Sequence, residues 1–183
     1  DYDALVLRFD EDGALDTVFG NSGVRSIAWD VPGGTFDDRA MAIAVRPTGE
    51  VVIGAVVHAG YGDRDFGVAQ LTADGDLDFS FGSGGKVRLD FGGVEDPSDD
   101  ELVDLGLEAD GRIVLFGSTT GTTTLGRDFA AARLTPTGGL DPTFDGNGGM
   151  LMRRGSSAAW RPSDGGDTCS SRAVSSAGRA GDS

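Results

Sequence analysis

The side chains with the most chemical potential in this chain are its aspartates. Asp74, Asp76 and Asp78 stand at alternate positions, and Asp10, Asp12 and Asp16 form a similar group, so either set could offer carboxylate oxygens to a hard cation such as Ca²⁺. A third group surrounds Asp141. Where the second group has Asp74 and Asp76, the first has Asp12 and Ala14 and the third has Thr137 and Gly139; only Asp16, Asp78 and Asp141 recur. An aspartate that recurs alone is better explained as a turn residue whose carboxylate accepts backbone N–H bonds. The EF-hand pattern is excluded, because no Glu stands twelve positions along and the Gly is misplaced.

Other candidate groups have structural explanations of the same kind. Asp37-Asp38 and Asp99-Asp100 both precede an apolar segment and could form carboxylate pairs, but neighbouring residues of a strand point to opposite faces, which suits strand entry better than acid–base work. His58 is the single histidine and closes the apolar run from Val51, so pairs or metal triads built on histidine cannot form. Cys169 is the single cysteine, so it has no intrachain disulfide partner and no adjacent base. Gly82-Ser83-Gly84-Gly85 and Gly146-Asn147-Gly148-Gly149 lack the terminal Lys-Ser/Thr of a phosphate-binding loop and read as hairpin loops. The nonapeptide Ca²⁺ repeat of β-rolls is not reproduced either. Trp29 and Tyr61 have no interleaved basic residues to make a nucleic-acid stacking platform. The expectation is a non-enzymatic chain with no catalytic, cofactor or metal residues.

Charge sharpens these exclusions. The 183 residues carry a net charge of −15, which disfavours nucleic acid and anionic membrane surfaces as partners. Residues 1–152 hold 27 acids and 10 bases, a net −17, while residues 153–183 hold 3 and 5, a net +2. Within these residues there is no run of 18 apolar residues and no secretory signal, and the repeat is already under way at Asp1, which leaves room for a signal upstream.

The elements that carry these groups are set by an internal repeat. Asp3 to Gly20 (DALVLRFDEDGALDTVFG), Asp65 to Gly82 (DFGVAQLTADGDLDFSFG) and Asp128 to Asp145 (DFAAARLTPTGGLDPTFD) are copies at offsets of 62 and 63 residues. A second block, Asp37 to Ile53 (DDRAMAIAVRPTGEVVI), recurs as Asp99 to Leu115 (DDELVDLGLEADGRIVL). Met41, Ile43 and Val45, like Val103, Leu105 and Leu107, have the period of two of a strand with one better-buried face. Thr48-Gly49 and Asp110-Gly111 supply the following turn. Val51 to Ile53 and Ile113 to Phe116 then read as strands covered on both faces, as do Ala4 to Phe9, Phe66 to Leu71 and Phe129 to Leu134, whose polar exceptions are Arg8, Gln70 and Arg133. Leu-Asp-x-x-Phe and a Gly-rich turn lead to an exposed strand such as Lys86 to Phe91. Four short antiparallel strands per unit, stacked face to face, make a propeller blade.

These residues resemble the delta-60 repeat proteins, whose units read Asp-Phe-Ala-x-x-Arg-Leu-x-x-x-Gly-x-Leu-Asp-x-x-Phe-Gly followed by Asp-Gly-Lys-Ile-Val. Pro142, Asp145 and Arg46-Pro47-Thr48 depart from that pattern. The resemblance covers residues 1 to about 150. It implies a β-propeller of large bacterial surface or exported proteins, extracellular or at the cell surface, without an established activity. The fold expected is therefore all-β: a partial β-propeller of about two and a half four-stranded antiparallel blades over residues 1–152, with units near 1–62, 63–127 and 128–152. The expected role is a scaffold or binding module for an unknown protein or glycan partner, with blade faces open to self-association and no membrane insertion. A second class is an enzymatic or Ca²⁺-binding lectin-like propeller whose axial site is completed by further blades.

Continuing the offset past Met152 places Thr168, Ser170, Ser176 and Gly178 where core residues belong, so 153–183 reads as a disordered or out-of-register tail of Arg, Ser, Gly and Ala. The change is the one expected of a shifted reading frame or of an appended end segment. Translation of the parent DNA in the other two frames is expected to return an Asp-Gly-x-Ile-Val-like blade after Met152, and its absence from both frames would refute the shift.

Overall fold

The computed structural model describes residues 2–31, 37–60, 62–92, 98–120 and 126–153, with the short segments 156–158, 161–162 and 169–170, and gives side-chain detail as far as Leu151. Its strands are β1 (Ala4–Leu7), β2 (Val24–Ile27), β3 (Arg39–Val45), β4 (Val51–Gly60), β5 (Asp63–Leu71), β6 (Lys86–Leu89), β7 (Glu101–Leu107), β8 (Ile113–Thr119), β9 (Asp128–Leu134), β10 (Gly149–Arg153), β11 (Ser156–Ala158), β12 (Arg161–Pro162) and β13 (Cys169–Ser170). Every ladder between these strands is antiparallel. The sheets run β1-β2, β3-β4-β5-β6 and β11-β10-β9-β8-β7, with β12 and β13 paired to each other. Over the described residues the chain is an all-β partial propeller, and none of these sheets closes on itself. The remainder of the tail expectation for 153–183 lies outside the described residues, as does Tyr61.

The complete sheet is cut in a different phase from the sequence unit. It joins the second block of one unit (β3, β4) to the first block of the next (β5, β6), and the 62-residue offset maps β1 and β2 onto β5 and β6. The first sheet is thus a half-blade. Its neighbour is a full blade, and the third sheet repeats the full blade with β7 to β10. Turns close where glycine follows the strand: Gly49 and Gly111 adopt φ of 102° and 86°, which a side chain would strain.

The core lies between blades rather than inside any one sheet. Val52, Val56, Phe66 and Val68 of the second blade meet Leu102, Leu105, Ile113, Leu115 and Leu134 of the third. Val51, Ile53, Ala69 and Leu71, from the opposite face of the second blade, meet Ala4, Val6, Phe19 and Ile27 of the half-blade. β4 and β5 are therefore apolar on both faces because each face has its own neighbour.

Two strands differ from the sequence expectation for one shared reason. On β3 the alternation was expected to mark the better-buried face, yet Ile43 and Val45 are each 61% exposed, while Ala42 and Ala44 pack against the core. Leu105, the counterpart of Ile43, is only 8% exposed. The difference is cover. β7 lies against β3 and β4, whereas the half-blade presents β3 with only its β1 and β2. The opposite deviation occurs at β6, expected to be exposed: Leu89 and Phe91 enter the inter-blade core, and the Phe91 ring stands edge-on to Phe66 at 4.9 Å. Met41 and Val103 sit at equivalent register shifts, bulges that turn both side chains outward.

Close approach of blades sets one residue type by space alone. A Cβ on Gly54 would lie 2.5 Å from Leu102 Cδ2 and 2.9 Å from Leu105 Cδ2. Gly54→Val is expected to destabilise the chain by about 1–3 kcal/mol through this overpacking, read as a lowered urea midpoint. An unchanged midpoint would show that the blades are not seated against each other here.

Candidate functional site

The recurrent aspartate of the Leu-Asp-x-x-Phe turn is a clamp with two halves. Asp78 Oδ1 accepts the Ser80 N–H at 3.0 Å and Asp141 Oδ1 the Thr143 N–H at 3.0 Å; Asp16 Oδ1 accepts the Val18 N–H at 3.2 Å. Their second oxygens accept from Gln70 Nε2 at 2.7 Å, Arg133 Nε at 2.8 Å and Arg8 Nε at 2.7 Å. The three polar exceptions of the interior strand are thus the partners of the three recurrent aspartates, eight residues ahead of them. Arg8 and Arg133 also lie over the rings of Phe19 and Phe144, at 4.6 and 5.1 Å from the centroids.

The neighbouring aspartates do not gather into a cation site. Asp10 Oδ1 accepts the Asp12 and Ala14 N–H groups, Asp76 forms an exposed ion pair with Arg25 at 3.2 Å, and the Asp74 carbonyl accepts the Gly20 N–H at 2.7 Å across the blade boundary. The equivalent bond one unit on runs from Gly82 N–H to the Thr137 carbonyl at 2.8 Å.

The two acidic dipeptides divide their work, one residue outward and one inward. Asp99 pairs with Arg64, with Nη2 to Oδ2 at 2.7 Å and a second contact between Nε and Oδ1, and lies 3.6 Å from Arg127. These contacts, Arg64 first, lower its pKa. Asp38 and Asp100 turn inward and accept the N–H groups of Trp29 and Phe91, each at 2.7 Å, nine residues back in the chain. They fasten the exit of one blade to the entry of the next. His58 Nδ1 meets the Asp37 carbonyl, the place that Thr120 Oγ1 takes against the Asp99 carbonyl at 3.5 Å. Trp29 is half-buried, its Nε1 donating to the Val87 carbonyl at 3.4 Å.

One constellation was not visible in the sequence. The β5–β6 register pairs Phe66 with Leu89, so the next step outward sets Asp65 opposite Asp90. Asp100, at the entry to β7, completes a cluster whose carboxylate oxygens lie within 4.8 Å of one another. All three residues are buried, at 0, 6 and 0% exposure. Arg88 Nη1 reaches Asp65 Oδ2 at 2.5 Å, and Asp90 Oδ1 accepts the Gly92 N–H at 2.8 Å. Asp65 Oδ1 and Asp100 Oδ1 have no hydrogen-bond partner. Burial pushes the Asp65 carboxyl up to about 8, against the pull of Arg88, and the Asp100 carboxyl up to about 7. The signal that could have revealed the cluster is the copy comparison: Ala28 stands where Asp90 does one unit earlier.

The stacked four-stranded sheets and the clamp turns define a β-propeller repeat. Residues 46–81 and 108–144 match the family model described as "Domain of unknown function (DUF5122) beta-propeller". The two matched segments begin 62 residues apart, and each contains β4 and β5 or their counterparts β8 and β9, followed by a clamp turn. Searches of the curated proteins and of the solved structures gave no match.

Asp141 is the most strongly held clamp. The Thr143 hydroxyl and N–H, then Arg133 and Arg112, lower its pKa to about 2 from an ordinary 3.8. A carboxylate held low in the folded state stabilises above its unfolded pKa, and that stability disappears as pH falls through the folded one. The gap in thermal midpoint between the native chain and Asp141→Asn is expected to be open at about pH 6 and to close towards about pH 2. A gap independent of pH would assign the effect to packing instead.

Proposed function

We propose that this chain is a non-enzymatic propeller scaffold whose binding surface is the uncovered face of a blade, in a bacterial surface or exported protein of the delta-60 kind. The observation that carries the reading is the unequal cover of equivalent residues: Leu105 is seated against Gly54 of the preceding blade, while Ile43 is open. Leu5, Val6, Leu7, Met41, Ile43 and Ile53 line one apolar groove between β1 and β3. β1 forms a ladder only with β2 among the described residues, whereas β5, its counterpart, pairs with both β4 and β6.

The groove fits a hairpin of the β3–β4 kind from another blade. Its second strand would extend the β1 edge as β4 extends β5, and its apolar side chains would cover Ile43 as β3 and β4 cover Leu105. Apolar faces left open in this way also favour contact between copies of the chain. The clamp and strand-entry aspartates have structural partners, which supports a scaffold over an enzyme. The recurrence of the blade supports a bacterial repeat protein, and the resemblance supports the cell-surface setting.

Light scattering of the native chain is expected to give a mass above that of the 18.8 kDa monomer, rising with concentration. The double substitution Ile43→Asp and Val45→Asp is expected to move it towards the monomer with an unchanged far-ultraviolet spectrum. A native chain that remains a monomer at all concentrations would overturn the docking face.

A further inference from the structure

The scaffold reading leaves the buried Asp65, Asp90 and Asp100 cluster without a purpose, and the repeat shows that a blade can be built without it. The register that sets Asp65 opposite Asp90 sets Asp3 opposite Ala28 in the half-blade. There Asp3 Oδ2 needs only the Ser26 hydroxyl, at 2.7 Å, and Asp38 only the Trp29 N–H. In the middle unit Ser26 is replaced by Arg88 and Ala28 by Asp90. The two replacements add one charge of each sign, but where the half-blade has an exposed Asp3 the middle unit has three buried carboxylates against one Arg, and like charges directly opposite on neighbouring strands destabilise a sheet.

We propose that Asp65, Asp90 and Asp100 hold a divalent cation of the Ca²⁺ class where the chain leaves β6 and crosses to β7. The donor set consists of carboxylate oxygens, which suit a hard cation and not a thiophilic one. Arg88 occupies only Asp65 Oδ2 and the Phe91 N–H only Asp100 Oδ2, so Asp65 Oδ1 and Asp100 Oδ1 remain for the ion. The spacing agrees as well. Oxygens within 4.8 Å of one another can share one ion, and in a dry site Ca²⁺, which accepts flexible contacts of roughly 2.3–2.6 Å, is favoured over Mg²⁺, which gives up its waters reluctantly. The high pKa values of Asp65 and Asp100 agree with a site short of positive charge. Asp65 and Asp90 belong to the second blade and Asp100 enters the third, so the cation ties one blade to the next.

The test is a calorimetric titration of Ca²⁺ into the chelator-treated full chain at about pH 7.5, with thermal midpoints measured alongside. One saturable site per chain is expected, with a midpoint that rises with Ca²⁺ and far less with Mg²⁺. Asp90→Ala, which reproduces the half-blade's Ala28, is expected to retain the β spectrum and to lose both the heat and the rise. Should Asp90→Ala fail to fold, Asp65→Asn must show the same loss. No saturable heat from the native chain, or an undiminished response in a folded variant, overturns the site.

Discussion

The structure depends on strands that are apolar on both faces. β4 and β5 bury nearly every side chain between Val51 and Leu71 that lies on a strand, and no single sheet can do that for its own middle strands. They need a sheet on each side, so the blade is stable only as one of a stack. The close seating of Gly54 against Leu102 and Leu105, and the backbone bonds from Gly20 and Gly82 to the next blade's turn, are how that requirement is met. The open Ile43 and Val45 are the same requirement unmet.

Within that constraint, the recurrent aspartates are answers to burial. A polar residue in an interior strand loses its water, and at Gln70 and Arg133 the lost bonds are replaced by a carboxylate that also closes the adjacent turn, as Asp16 does for the partly exposed Arg8 just past β1. Asp38 and Asp100 do the same for a backbone N–H at the blade exit. In the clamps of Asp16, Asp78 and Asp141 both oxygens find donors, so the arrangement repeats without further help. The cluster at Asp65 departs from the rule, since it holds more buried negative charge than Arg88 can offset. That imbalance distinguishes a structural aspartate from a candidate ligand more clearly than aspartate spacing in the sequence does.

Two open faces of unlike composition remain on the chain. One is the groove of Leu5, Leu7 and Ile43 beside β1; on the third blade Phe116 and Phe129 lie 40 and 41% exposed, with ring centroids 6.3 Å apart. Their aliphatic and aromatic characters make any contact between them heterologous, a head-to-tail geometry and not a two-fold one.

By itself the sequence determined the unit, the turns and the clamps. The 62-residue recurrence, the glycines after strand ends and the lone recurrent Asp16, Asp78 and Asp141 are local or periodic facts, and backbone sterics and turn chemistry act over the same few residues. Tertiary structure decided what each face touches. Ile43 and Leu105 share one pattern but not one environment, because cover comes from a neighbouring sheet and not from the strand itself. Asp65, Asp90 and Asp100 are separated by up to 35 residues along the chain, and they meet only because the β5–β6 register and the crossover to β7 bring three charges into one dry place.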